Sequence, residues 1–211
     1  MRTETITGAF LSATRFAGDV MRDPAIGAAW HTPSALARMT VGDVAGHLFL
    51  VVRRVEQRLD ERPNLIVPQL GGMIYPRVDG PGDLDLAVHD QVRRDGRHVA
   101  ERGWSPLCDA YDNRSARLAS RLVGTVPAAV VLGDHGIDFG EYLASRVVEV
   151  LVHADDLMAS IDATRRDPPT DAIDAAVTYL VKAARRVHGD HALLLAFTRR
   201  ERVPRGVPSI Y

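Results

Sequence analysis

Three side chains carry the chemistry this sequence most directly suggests: His47, Glu149 and His153. Glu149 and His153 are four residues apart, so on a helix both leave the same face. His47 stands far upstream in an apolar run, Val44-Ala45-Gly46-His47-Leu48-Phe49-Leu50. Two imidazoles and one carboxylate make a catalytic zinc set, with a fourth position left for water or substrate. A buried histidine tied to a hydrogen-bonded partner is the structural alternative, and spacing alone does not choose between them. The surroundings add a clue. Tyr142, Arg146, Glu149, His153, Asp156 and Ser160 form one polar stripe along an otherwise apolar segment. Charged groups tolerate burial when they are paired or bind a metal.

The elements that must position these groups are helices. Asp138 to Ile161 reads as one long helix, with Asp138 as its cap and Glu141 where a capping-box acid would sit. Leu143, Val147, Val150, Leu151, Val152, Leu157, Met158 and Ile161 cover most of its circumference, which predicts burial nearly all round. The His47 helix runs from Thr40 to about Leu59, opened by Thr40 and Asp43 at capping-box spacing. Arg53, Arg54 and Arg58 gather at its end, where they suit the helix dipole.

A first helix is expected over Thr3 to Met21, then a loop from Asp23 through Ser34. Residues 62–82 hold Pro63, Pro68, Pro76 and Pro81 and read as a long irregular connection. Asp83 opens a third helix to about Arg102. After a break, Ser105 as N-cap and Pro106 as first helical residue lead a further helix to Gly124. These two pieces read as one bent rod. Val130 to Leu132 is a short extended segment in a turn-rich link. Thr170 caps another helix, stopped by Gly189, and Asp190 caps a last one to about Glu201, before an extended tail from Val203. The fold class expected is all-α, an antiparallel helical bundle with additional C-terminal helices.

Composition narrows the function. The chain of 211 residues, 46% of them apolar, suits one domain with a sizeable core. Its formal net charge of −1 advertises neither nucleic acid nor an acidic membrane. Lys182 is the sole lysine, and no glycine-rich phosphate loop is present. One cysteine, Cys108, excludes a disulfide framework and a cysteine-based zinc site; it reads as a small core residue. No apolar stretch reaches the ~18 residues of a membrane span. The N-terminal apolar run is broken by Arg15 and Asp19, unlike a secretion signal. A cytoplasmic, soluble protein is expected. His31, His89, His98, His135, His188 and His191 lie near turns or on polar faces and read as non-ligands, Trp30 reads as a packing anchor, and Asp155 is expected to face out.

Three phrases carry a resemblance. They are W-x-x-P-S at Trp30 to Ser34, M-T-V-G-D-V-A-G-H-L at Met39 to Leu48, and R-V-V-E-V-L-V-H-A-D-D-L at Arg146 to Leu157. Together they resemble the mycothiol-dependent maleylpyruvate isomerase family, within the DinB-like group of four-helix-bundle metalloproteins. The resemblance implies that His47, Glu149 and His153 bind a divalent metal, zinc above all. It makes Arg146 and Asp156 candidate catalytic groups, and Asp156 would accept from a ligand imidazole. Arg146 either pairs with Glu149 or Asp156 or binds a carboxylate-bearing substrate. The implied cofactor is mycothiol or a similar small thiol. As thiolate it attacks an electrophilic carbon. An isomerase adds it to a cis double bond, which rotates before the thiol leaves; a transferase keeps it attached.

The implied organisation is a metal-binding bundle over residues 1–164 and a short helical extension over 165–211. Characterised isomerases of this family carry instead a substantial α/β domain at the C-terminal end. The phrase V-H-G-D-H-A-L-L-L at Val187 to Leu195 resembles endings of relatives whose reactions are unassigned. The expectation is a metal-dependent thiol transferase or isomerase acting on a small electrophile, as monomer or homodimer, with neither nucleic acid nor membrane as partner. The alternative is a non-catalytic bundle that binds a metal or small ligand as a sensor or regulator.

Overall fold

The structure, a computed structural model, describes residues 3–60, 87–124, 126–132 and 135–198. In chain order these form α1 (Thr3–Met21), α2 (Pro24–Ala28), α3 (Val41–Arg58), α4 (Ala87–Ala100), α5 (Trp104–Leu122), β1 (Ala129–Leu132), β2 (His135–Asp138), α6 (Phe139–Ser160), α7 (Thr170–His188) and α8 (Asp190–Thr198). The described chain is predominantly helical, as expected, with one small addition. β1 and β2 pair antiparallel, Val130 opposite Ile137, where the sequence suggested only an extended segment.

Amphipathic spacing explains the packing. Ile6, Phe10, Ala13, Ala17 and Val20 give α1 one buried stripe, and α1 lies along α6. α3 packs between α4 and α6 and also touches α5, while α5 reaches α1. α7 covers α1 and α6, turning Ala172, Ala175 and Ala176 inward. Between α3 and α4 the backbones all but touch. A Cβ on Gly46 would lie 2.1 Å from the carbonyl oxygen of Gly96, and one on Gly96 would lie 2.6 Å from that of Asp43. Only hydrogen at both positions allows this crossing.

Several boundaries differ from expectation for local reasons. Asp23 and Pro24, read as a loop, open α2, because the Asp23 carboxylate accepts from the Ala25 amide at 3.0 Å. Gly103, not Ser105, stands at the start of α5; its φ of 82° is one a side chain resists. Trp104 then becomes the first helical residue, and its indole donates to the Met21 carbonyl at 2.7 Å. Pro169 holds the N-cap position of α7, so Thr170 is inside the helix. Along α6, Val152 is 41% exposed, so the helix is not buried all round. Glu141 closes no capping box; it pairs with Lys182 and Arg186 of α7. The expected features at 62–82, at Asp83 and beyond Thr198 lie outside the described residues.

Candidate metal centre

Both helices that meet at the centre are fixed at their ends. At the start of α3, the Thr40 hydroxyl accepts from the Asp43 amide at 3.1 Å and the Asp43 carboxylate accepts in turn from the Thr40 amide at 3.0 Å. This is the capping box its spacing predicted, and it sets the helix one turn ahead of His47. On α6, Asp138 accepts from the Glu141 amide at 3.0 Å. At the far end the Ser160 hydroxyl donates to the Asp156 carbonyl at 2.6 Å and accepts from the Ala35 amide at 2.9 Å. That contact ties the end of α6 to the segment leading into α3.

Between these anchors three atoms converge. Nε2 of His47 and Nε2 of His153 each lie 3.8 Å from Oε2 of Glu149. One nitrogen or oxygen from each of the three residues falls within 4.8 Å of the others. The two imidazoles meet edge to face, with centroids 4.7 Å apart and planes at 85°. These separations are too long for hydrogen bonds. They sit close to the ~3.4 Å spacing of ligand atoms that share a tetrahedral cation at bonds of about 2.1 Å. The group can therefore hold a metal ion. Among the described residues no other group of His, Cys, Asp and Glu does this.

The charge states suit that role. Burial pushes the His47 imidazole below the usual histidine range, against the opposing pull of Glu149. Burial opposes ionisation of Glu149, yet His47, Arg146 and His153 outweigh it and hold the carboxyl at about 2. Nδ1 of His153 lies 2.9 Å from Oδ2 of Asp156. A carboxylate accepts, so Nδ1 is the donor of this pair and Nε2 is the ring nitrogen that faces Glu149. Nδ1 of His47 has no hydrogen-bond partner among the described residues. The α3 backbone at His47 packs closely on Gly96 of α4: a Cβ on Gly96 would come 3.4 Å from the His47 Cβ.

Arg146, buried at 8% exposure, places Nη2 3.5 Å from Oε1 of Glu149 and its guanidinium 5.4 Å over the Tyr142 ring. Its Nε donates to the Ser145 hydroxyl at 3.2 Å. Thus all five residues singled out from the sequence fall in one region. The sequence places Asp43, Leu50, Val51 and Arg54 on the side of the helix that carries His47, and reads Arg58 only as a dipole partner. Asp155 is half-buried and pairs with Arg165 at 3.2 Å. Cys108 and Trp30 are buried, as expected. A separate cleft of about 250 Å³ opens where α1, α6 and α7 meet, lined by Ile6, Glu141, Ala144, Tyr179 and Lys182, and none of the three candidate ligands lines it.

Fold and site together define a predominantly helical protein with a two-histidine, one-carboxylate group able to hold a cation. No described helix is long and apolar enough to cross a membrane. Compared with protein-family models, curated proteins and solved structures, the chain matches none.

Proposed function

We propose that this chain is a divalent-metal-dependent S-transferase or isomerase that uses a small thiol of the mycothiol type on an electrophilic substrate. One observation carries the metal half of the reading. Two imidazole nitrogens and a carboxylate oxygen from two helices converge at spacings that suit a shared cation and not a hydrogen bond. The donor set favours zinc. The phrases around His47 and Glu149, with their resemblance to the mycothiol-dependent maleylpyruvate isomerases, support the thiol half. They also support a DinB-like antiparallel four-helix bundle, formed by α1, α3, the α4–α5 pair and α6, with α7 and α8 as additions.

In this reading His47, Glu149 and His153 hold the ion. Bound there, zinc supplies Lewis-acid chemistry that lowers the pKa of a thiol or water. Asp156 fixes the tautomer and tilt of His153. Arg146 keeps the Glu149 carboxylate ionised and oriented.

Metal analysis of purified protein tests the first half: about one zinc per chain is expected, and none in His47→Ala. Incubation of the zinc-loaded protein with mycothiol and either maleylpyruvate or a conjugating electrophile tests the second. Thiol-dependent loss of the electrophile is expected. Zinc bound without turnover selects the sensor or regulator reading instead, and no zinc bound defeats both.

A further inference from the structure

The cleft of about 250 Å³ where α1, α6 and α7 meet joins two kinds of surface. Ile6 of α1, Ala144 of α6 and Tyr179 of α7 make its apolar side. Its polar groups are Asp138 and Glu141 at the start of α6, and Thr178 and Lys182, one turn apart on α7. Pockets for drug-sized ligands hold ~300–1,000 Å³, so the size here suits a small metabolite.

The polar groups keep bonding capacity that the described residues leave unused. Lys182 and Arg186 both donate to one oxygen of Glu141, Oε1. Oε2 accepts from none of the described residues, although the side chain is only 16% exposed. Asp138 spends Oδ1 on the Glu141 amide at 3.0 Å, and its Oδ2 also has no donor among the described residues. An ammonium carries three donors, and Lys182 has Glu141 as its one acceptor among the described residues. The Thr178 hydroxyl has no partner among them. Burial opposes ionisation of Glu141, but Lys182 and Arg186 keep it charged. Lys182 and Arg186 thus balance Asp138 and Glu141, with free acceptors on α6 and free donors on α7. A simple cation entering the cleft meets Lys182, and a simple anion meets two carboxylates. A ligand that carries both charges satisfies both sides.

We propose that this cleft binds a zwitterionic α-amino acid with an apolar side chain. The ligand ammonium donates to Oε2 of Glu141 and Oδ2 of Asp138. Its carboxylate accepts from Nζ of Lys182 and from the Thr178 hydroxyl. Both sets of bonds are charge-assisted, the stronger kind. The ligand side chain lies against Ile6, Ala144 and Tyr179, where burial of apolar surface adds affinity.

Equilibrium dialysis of the full chain against radiolabelled L-leucine tests this. A chelator is present throughout, so the outcome does not depend on the metal centre. Unlabelled competitors each lack one feature: N-acetyl-L-leucine the ammonium, L-leucinamide the carboxylate, and glycine the side chain. Each is expected to compete ~10-fold or more weakly than unlabelled L-leucine. In K182Q the preference for L-leucine over L-leucinamide is expected to collapse toward one. In A144L the added bulk fills the cleft, and retention of L-leucine is expected to be lost. K182Q, at a half-exposed position, decides the location if A144L does not fold. No retention of L-leucine by the wild-type chain overturns the proposal. Competition by N-acetyl-L-leucine or L-leucinamide as strong as that by L-leucine overturns the two-charge recognition. Binding and preference unchanged in K182Q overturn the assignment to this cleft.

Discussion

Asp156 lies 2.9 Å from Nδ1 of His153, and this single contact decides which ring nitrogen faces Glu149. A histidine without such a partner can rotate or switch tautomer; His153 has one turn of helix holding both ends of the bond. His47 reaches the same convergence by a different route, with no hydrogen bond to Nδ1 among the described residues and the Gly96 backbone against it.

On the proposed metal reading, removing the Asp156 carboxylate leaves the three candidate ligands in place and loosens one of them. Asp156→Ala is expected to weaken zinc binding by ~10–100-fold without unfolding the protein. Competition against a coloured chelator measures the affinity, with circular dichroism as the control for fold. Unchanged affinity would mean that Asp156 serves only the helix.

Metal binding to the folded state alone must raise thermal stability. Zinc at a hundred times its Kd is expected to add about 2.7 kcal/mol of stability. His47→Ala, Glu149→Gln and His153→Ala should each abolish the increase. Thermal melts with zinc and with chelator read this directly. A variant that still responds fully would remove that residue from the ligand set.

The contact between α3 and α4 admits no added carbon. Gly46→Ala places a methyl 2.1 Å from the Gly96 carbonyl oxygen, and backbone has to move. A loss of ~1–3 kcal/mol in urea unfolding is expected. Because the displaced segment carries His47, zinc affinity should fall as well. Full stability in Gly46→Ala would show that the helices separate at little cost.

Glu141 gives α7 an acid-sensitive tether. Burial opposes its ionisation, but Lys182 and Arg186 prevail and hold it below the ordinary value of 4.5. With the folded value lower than the unfolded one, the unfolded chain binds the proton first as pH drops. The stabilisation is therefore full above about pH 4.5 and is lost as pH falls through the folded value. Thermal midpoints of wild type and Glu141→Gln, measured from neutral pH downward, should differ most at neutral pH and converge in acid. A constant offset would contradict this assignment.

Most helices were legible because each buries one face, and burial imposes a period that sequence displays. α1 and the capped start of α3 are the clearest cases, since Ile6, Phe10, Ala13 and Thr40, Asp43 state their roles locally. Boundaries set by a partner were not legible. Trp104 enters α5 because its indole has the Met21 carbonyl to bind, and nothing near Ser105 in sequence reveals that. Asp23-Pro24 suits a turn and a helix start equally well. Val152 looks like its neighbours and is exposed because none of the described elements covers its side of α6. In the centre, Glu149 and His153 were a pair by spacing, but periodicity cannot align two helices. Residue types grouped His47 with them as one possible ligand set, and the resemblance strengthened that grouping while staying silent about Arg54 and Arg58.

The pairing of Glu141 with Lys182 has a practical use. Lys182 is the chain's only lysine, so amine-directed reagents meet a single side chain, half-exposed and committed to a carboxylate on α6. Its labelling rate becomes a clock for the detachment of α7: slow while the helix lies on α1 and α6, and fast once it lifts away.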